Sequence, residues 1–274
     1  FKFNSLILMF ILMFTILFVP KINTFADAGI NYEALYSEGV KLQYINPENI
    51  SLDEWLLENE EYKKIYDDGI SVGVLDKSFS YEEWIKANCY GQPPVVDSNN
   101  FEEITIDAKT IVDGFEFKSG DILITNGTSS AGIIGHAAIA TGPGYILDIP
   151  GANQTTRQTS PLWWTNNYRT KGWVKVYRMK NSYLAAGAAI WADRNYYSTT
   201  GGSVQNITPK YEITPHLYST DPTYCSKIVF QAYWYGTGSE PVMKSMSGFV
   251  APYGLLDCFN SNYVPDLAKT FIQR

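Results

Sequence analysis

Hydrophobic and polar positions divide the chain into a helical part and a later, strand-rich part. Two amphipathic segments begin with SLDEW at Ser51 and SYEEW at Ser80, and each contains a Ser-x-x-Glu capping box that predicts a helix N-terminus. The two segments share further residues in matching positions, namely Trp55 with Trp84 and Asn59 with Asn88. We interpret the repeat as two helices that pack a tryptophan inward rather than as a duplicated ligand motif.

After the proline-containing linker at residues 90–100, the pattern changes to short apolar runs typical of strands. The runs are ITIDAKTIV from Ile104, ILIT from Ile122, HAAIAT from His136, YILDI from Tyr145 and VKVYR from Val174. Gly142, Pro143 and Gly144 separate the third run from the fourth and predict a hairpin turn. These runs predict a sheet.

Two later segments, which begin at Leu184 and Cys225, have apolar residues at helical spacing. A sheet with helices packed against it is an α+β fold. We therefore predict a main domain at residues 100–274 and an additional N-terminal helical segment at residues 29–99.

The first 28 residues have the pattern of a secretory signal peptide. Lys2 precedes an apolar run from Leu6 to Val19, and Ala26 and Ala28 form an A-x-A arrangement. An uncleaved membrane anchor is the alternative, but the run is shorter than the roughly 20 residues that cross a bilayer. We predict a signal peptide at residues 1–28, cleavage near Ala28, no stable membrane insertion afterwards, and a secreted or envelope-associated protein.

Charge and cysteine content narrow the function classes. The chain has 28 acidic and 21 basic residues, and its Lys and Arg residues do not cluster, which argues against a nucleic-acid partner. Its three cysteines, Cys89, Cys225 and Cys258, cannot all pair within one chain. Cys89 and Cys258 are the candidate disulfide pair, and the sequence leaves open whether they form the bond.

The predicted hairpin brings a histidine and a carboxylate together. With the turn centred on Pro143, Asp148 lies opposite Ala138, one diagonal step from His136, and both side chains leave the same face of the sheet. A carboxylate at that distance can orient an imidazole and stabilise its protonated form. The alternative is a core histidine that is satisfied by a neighbour.

Cys225 is the candidate nucleophile. Asp221 is expected to cap the following helix, Pro222 suits its first position, and Gly236 follows its end, so that Cys225 lies in the first turn. The positive end of the helix dipole and a nearby imidazolium would both favour the thiolate. The alternative is a buried cysteine that acts as a small apolar residue.

Three motifs resemble a known family. SGDILIT from Ser119, GHAAIATGPGYILD from Gly135 and YCSKIVFQAY from Tyr224 resemble the Gly-Asp strand, the His strand and the Cys helix of the NlpC-type cell-wall cysteine peptidases. His136 precedes Cys225, which is similar to the circularly permuted YiiX- and YycO-like branch of papain-fold amidohydrolases. The resemblance implies a permuted papain-like antiparallel sheet, and its third polar position falls on Asp148.

The resemblance further implies a secreted cysteine hydrolase. Its expected substrate is a peptide amide, above all in peptidoglycan stem peptides, which Cys225, His136 and Asp148 would cleave through a thioester. Two alternatives stay open, a cell-wall-binding module without turnover and a thiol acyltransferase or lipid hydrolase. We predict no cofactor and no metal site, and the sequence leaves the oligomeric state open.

Overall fold

The structure is a computed structural model that describes residues 29–94, 111–129 and 132–273. Asn31–Arg274 form one compact unit. Three expectations concern residues outside those ranges: the signal peptide at residues 1–28, the domain boundary between residues 99 and 100, and most of the strand from Ile104. In the described part, no helix is long and apolar enough to span a membrane.

Six α-helices and eight strands occur in the described residues. The helices are α1 (Tyr32–Lys41), α2 (Leu52–Ser71), α3 (Tyr81–Ala87), α4 (Pro161–Arg169), α5 (Ser182–Tyr196) and α6 (Cys225–Tyr235). The strands are β1 (Ile111–Val112), β2 (Phe115–Glu116), β3 (Ile122–Thr125), β4 (His136–Gly142), β5 (Tyr145–Asp148), β6 (Arg157–Thr159), β7 (Trp173–Arg178) and β8 (Asp266–Ile272).

The predicted α+β class is confirmed at this level. Strands β3 to β8 form one antiparallel sheet in the order β6-β5-β4-β3-β7-β8. The strands predicted from Ile122, His136, Tyr145 and Val174 are present as β3, β4, β5 and β7. The two edge strands, β6 and β8, were not predicted, because most of their residues are half-buried or exposed and show no clear alternation.

Both faces of the sheet centre are covered. All four residues of β3 are buried, which is typical of a strand with packing on both sides. Helices α5 and α6 pack against β4, and α4 packs against β5 and β7. A hydrophobic cluster that includes Leu123, Ala138, Ile146 and Trp164 joins α4 to the sheet. The start of β4 therefore lies in a water-excluded interior.

The helical segment at the N-terminus follows the sequence pattern. Ser51 and Ser80 each accept a hydrogen bond from the backbone N–H of the glutamate three residues later, whose carboxylate accepts one in return from the serine N–H. Both predicted capping boxes are thus confirmed. Trp55 and Trp84 are fully buried, which also confirms the prediction that the repeated helices pack a tryptophan inward.

Candidate functional site

The hairpin brings His136 and Asp148 into contact. His136 is the first residue of β4 and Asp148 is the last residue of β5. Ile139 pairs with Leu147, so the next position along the ladder sets Asp148 level with Ala138, as the sequence indicated. The distance from His136 Nε2 to Asp148 Oδ2 is 2.9 Å, and neither residue is exposed to solvent.

Cys225 completes the group at the start of α6. Its side chain forms a hydrogen bond with His136, and its sulfur accepts hydrogen bonds from the backbone N–H groups of Ala137 and Ser226. Only 1% of Cys225 is exposed. All three residues predicted for the site are therefore adjacent, while their catalytic role stays a prediction.

The helix that carries Cys225 begins differently from the expectation. Asp221 does not cap it, because one of its carboxylate oxygens accepts a hydrogen bond from the backbone N–H of Lys210 instead. The N-cap residue is Tyr224, which makes no side-chain capping bond. Cys225 is nevertheless the first residue of α6, where backbone N–H groups have no partner within the helix and the dipole favours negative charge.

Sequence reasoning missed two further partners of Asp148. Arg157 lies directly across from Asp148 on β6 and donates from Nε to Asp148 Oδ1 over 2.8 Å. Trp164 donates from Nε1 to Asp148 Oδ2 over 3.0 Å. The available signal for Arg157 was an opposite charge at a cross-strand position, but that strand was not predicted. The Asp148 carboxylate thus accepts hydrogen bonds from three side chains.

Two aromatic rings lie beside the imidazole of His136. The ring centroid of His136 lies 5.9 Å from that of Trp164 and 5.4 Å from that of Tyr168. Trp164 is fully buried in the core, whereas Trp163 is exposed with the Arg157 guanidinium over its ring. Trp164 therefore both packs the core and donates to Asp148.

Burial and charge oppose each other in the ionisation of the site. Burial alone would raise the pKa of the Cys225 thiol, but the charge of His136 and its hydrogen bond outweigh burial and lower that pKa. Burial would lower the pKa of His136, but Cys225 and Asp148 outweigh it and raise that pKa to about 9. Burial would likewise raise the pKa of Asp148, which His136 and Arg157 hold below its usual value. Both shifts favour the thiolate–imidazolium form of the Cys225–His136 pair over the neutral form.

This ion pair predicts an unusual pH profile for alkylation of Cys225. The rate with iodoacetamide is expected to rise at a pH below the ordinary thiol pKa of about 8.5. It should then stay nearly constant until His136 loses its proton near pH 9. Rates measured between pH 5 and pH 10, with the label assigned by peptide mass spectrometry, test this. A single rise at or above the ordinary thiol pKa would contradict the ion pair.

The other two cysteines differ from Cys225 in ionisation. Cys89 and Cys258 are buried and free, so the disulfide that the sequence left open is not formed in this structure. Burial raises the pKa of the Cys89 thiol well above its ordinary value and raises that of Cys258 to about 12. Both are internal controls with low expected reactivity toward alkylating reagents.

Comparison with known proteins identifies the family. A family model described as "Lipoprotein N-acylation protein LnsA-like" matches residues 88–271, which is more than half of the chain. An "Uncharacterized 30.3 kDa protein" of Bacillus thuringiensis is 46% identical over 248 residues, which cover 90% of this chain and 91% of that protein. No solved structure matches the chain.

The family overturns the activity expected from the sequence. Its description names the addition of an acyl group to nitrogen, whereas a cell-wall peptidase breaks an amide bond. The prediction of a cysteine peptidase or amidohydrolase that acts on peptidoglycan is therefore wrong. The error has a chemical cause, because a Cys-His-Asp site forms the same thioester whether water or an amine receives the acyl group. The chain belongs to the LnsA-like family of lipoprotein N-acylation proteins.

Proposed function

We propose that the protein is a thiol acyltransferase that carries an acyl group on Cys225 and transfers it to an amine nitrogen of a lipoprotein. The observation that supports the proposal is the buried hydrogen-bonded group of Cys225, His136 and Asp148 in a chain of this family. This group has the parts that nucleophilic acyl transfer requires, namely a thiolate, a proton carrier and a carboxylate that orients it.

In the first half of the reaction, the Cys225 thiolate attacks the carbonyl carbon of an acyl ester or thioester. Negative charge develops on the carbonyl oxygen, and this oxygen accepts a hydrogen bond from the backbone N–H of Cys225 at the start of α6. The bond to the leaving oxygen or sulfur then breaks, and the His136 imidazolium gives that atom its proton. The products are a thioester on Cys225 and a free alcohol or thiol.

In the second half, the amine of the acceptor attacks the thioester carbon. His136, now neutral, accepts the proton that the amine loses as the new carbon–nitrogen bond forms. The carbon–sulfur bond breaks, and Cys225 returns to the thiolate. Asp148 stays ionised throughout, holds the imidazole in place and stabilises its charged form.

Burial of the site favours transfer over hydrolysis. Cys225, His136 and Asp148 are almost completely inaccessible to solvent, and aromatic rings lie against the imidazole. A thioester in such surroundings is shielded from bulk water. An amine acceptor that is held in the site then competes with little water for the acyl group.

We also propose that the main domain is a circularly permuted papain-like fold. Support comes from the His strand in the centre of an antiparallel sheet, the Cys helix packed against that strand, and the order of His136 before Cys225. In this proposal the chain is a member of the NlpC-type superfamily that uses the shared site for acyl transfer. The proposed domain comprises residues 100–274, preceded by the helical segment at residues 29–99.

Location at the cell envelope is part of the same proposal. The lipoprotein connection of the family is compatible with envelope association. The acceptor partner is a lipoprotein with an accessible amine. The chain has 28 acidic and 21 basic residues, and this excess of negative charge supports a partner other than nucleic acid.

A two-donor assay tests the function. The purified protein is incubated with a lipopeptide that has one free amine, and with either phospholipid vesicles as ester donor or an acyl-coenzyme A as thioester donor. Transfer is expected to add one acyl group to the lipopeptide, which fragment masses assign to the nitrogen. A matched lipopeptide with an acetylated amine should gain none.

Two results of this assay would overturn the proposal. One is release of free fatty acid with no N-acyl product while the amine acceptor is present, which would indicate a hydrolase. The other is the absence of N-acyl product with both donor classes. N-acylation with one donor class and not the other would support the proposal and identify the donor chemistry.

A further inference from the structure

The second copy of the tryptophan–asparagine repeat contacts the loop that precedes His136. Trp84 Nε1 donates a hydrogen bond to the carbonyl oxygen of Gly132 over 2.8 Å. Asn88 Oδ1 accepts one from the backbone N–H of Ile134 over 3.0 Å. Trp84 and Asn88 are both fully buried. Two hydrogen bonds from the helical segment therefore end within four residues of the imidazole.

The first copy has the same residue types but different targets. Trp55 Nε1 donates to the carbonyl oxygen of Tyr90 over 2.9 Å. Asn59 Oδ1 accepts from the hydroxyl group of Tyr81. Both targets belong to the helical segment itself. Both copies are buried, and among the hydrogen bonds of the described residues only those of the second copy reach the His136 loop.

Two glycines give the loop before His136 an unusual backbone conformation, and helix α2 packs directly on this loop. Gly132 and Gly135 have φ angles of +76° and +72°, in the left-handed region where glycine is favoured. A Cβ atom on Gly69 of α2 would lie only 2.5 Å from Gly132 Cα, so the helix backbone packs directly on the loop. Glycine-rich loops have high conformational entropy when unrestrained. Contacts from α2 and α3 therefore restrict where β4 begins.

The same helical segment is connected to the other side of the site. Leu75 forms a parallel bridge with Ile213, and the Asp76 N–H donates to the Ile213 carbonyl over 3.0 Å. Tyr211, two residues earlier, forms a parallel bridge with Thr223, which lies two residues before Cys225. Backbone hydrogen bonds therefore link the helical segment to residues 211–213, and they link residues 211–213 to Thr223, just before Cys225.

From these contacts, we propose that Trp84 and Asn88 are positioning residues that hold the loop at residues 132–134 and so fix the imidazole of His136 against Cys225 and Asp148. The inference rests on the proposed catalytic role of His136. Ile134 is only two residues from His136, so a loop displacement moves the ring relative to its partners. The helical segment is in this view a structural part of the active site.

The repeat itself supplies a matched test. Trp84→Phe and Trp55→Phe each remove one indole N–H donor from a fully buried ring and keep most of the packing. Iodoacetamide alkylation of Cys225 is measured from pH 5 to pH 10 in both variants, beside their thermal unfolding. For Trp84→Phe we expect at least a tenfold lower rate at pH 7 and an inflection shifted toward the ordinary thiol pKa. Trp55→Phe should keep the wild-type profile.

A second pair covers the case in which Trp84→Phe does not fold. Asn88→Ala and Asn59→Ala remove the two matched acceptors and should show the same contrast. Equal profiles in both members of the pair that folds, beside a normal wild-type profile, would overturn this inference alone. An ordinary thiol profile in the wild-type protein would contradict the ion pair and overturn this inference, whereas the two-donor assay decides the proposed function separately.

Discussion

Replacing Cys225 with alanine is expected to abolish acyl transfer to the amine acceptor. The sulfur forms the proposed thioester, and no other group among its contacts replaces a thiolate. We expect a loss of roughly three orders of magnitude or more, down to background. Folding should survive, because the change removes no large apolar contact. Transfer to the lipopeptide, measured by mass spectrometry, checks the prediction.

A matched cysteine provides the control. Cys258→Ala removes another buried free thiol, whose pKa is raised to about 12, and it should keep transfer near the wild-type level. Persistent N-acylation by Cys225→Ala would show that the acyl group moves without this thiol. Equal loss in both variants would indicate a general effect on folding rather than the removal of a nucleophile.

The second large effect is expected for Asp148→Asn. Asp148 accepts hydrogen bonds from His136, Arg157 and Trp164, and an amide cannot accept all of them or stabilise an imidazolium. Transfer is expected to fall by roughly 10²- to 10⁴-fold. The rate of transfer at saturating donor and acceptor measures the effect. Folding should persist, because the Arg157 side chain is 32% exposed and keeps contact with water.

Asp121→Asn is the matched control for this change. Asp121 is also a buried carboxylate that pairs with an arginine, Arg178, but it has no contact with Cys225 or His136 among its hydrogen bonds. The Asp121→Asn variant should change the free energy of unfolding but leave the reactivity of the Cys225 thiol intact. If Asp148→Asn transfers at nearly the wild-type rate while His136→Ala is inactive, another group orients the imidazole. If His136→Ala also transfers normally, His136 is only a satisfied core residue.

The sequence pattern predicts most of what lies close to the site. Helix caps, apolar alternation and the glycine–proline turn depend on neighbouring residues, which is why both capping boxes and the β4–β5 hairpin are correct. The hairpin register in turn brings His136 to Asp148. Cys225 does lie in the first turn of a helix, but both predicted start signals are wrong, because α6 begins at Cys225 itself, with Tyr224 rather than Asp221 as its N-cap and with Pro222 outside the helix.

Long-range partners are what the sequence does not show. Arg157 reaches Asp148 only because β6 returns to the sheet after the intervening loop, and Trp164 comes from the following helix. The targets of the repeated tryptophans are equally invisible in the pattern, since Trp55 and Trp84 have the same local context. The acceptor in the proposed acyl transfer is also hidden from the sequence, because a Cys-His-Asp site can pass an acyl group either to water or to an amine.

The central claim is that Cys225 carries the acyl group, and the mass of the intact protein after incubation with donor alone tests it most directly. We predict one added acyl group, located on Cys225 by peptide mass spectrometry, released by neutral hydroxylamine as a thioester is, and lost when the lipopeptide amine is added. N-acylation that proceeds with the acyl group on another residue, or with no acyl-enzyme on Cys225 at any time, would contradict the account.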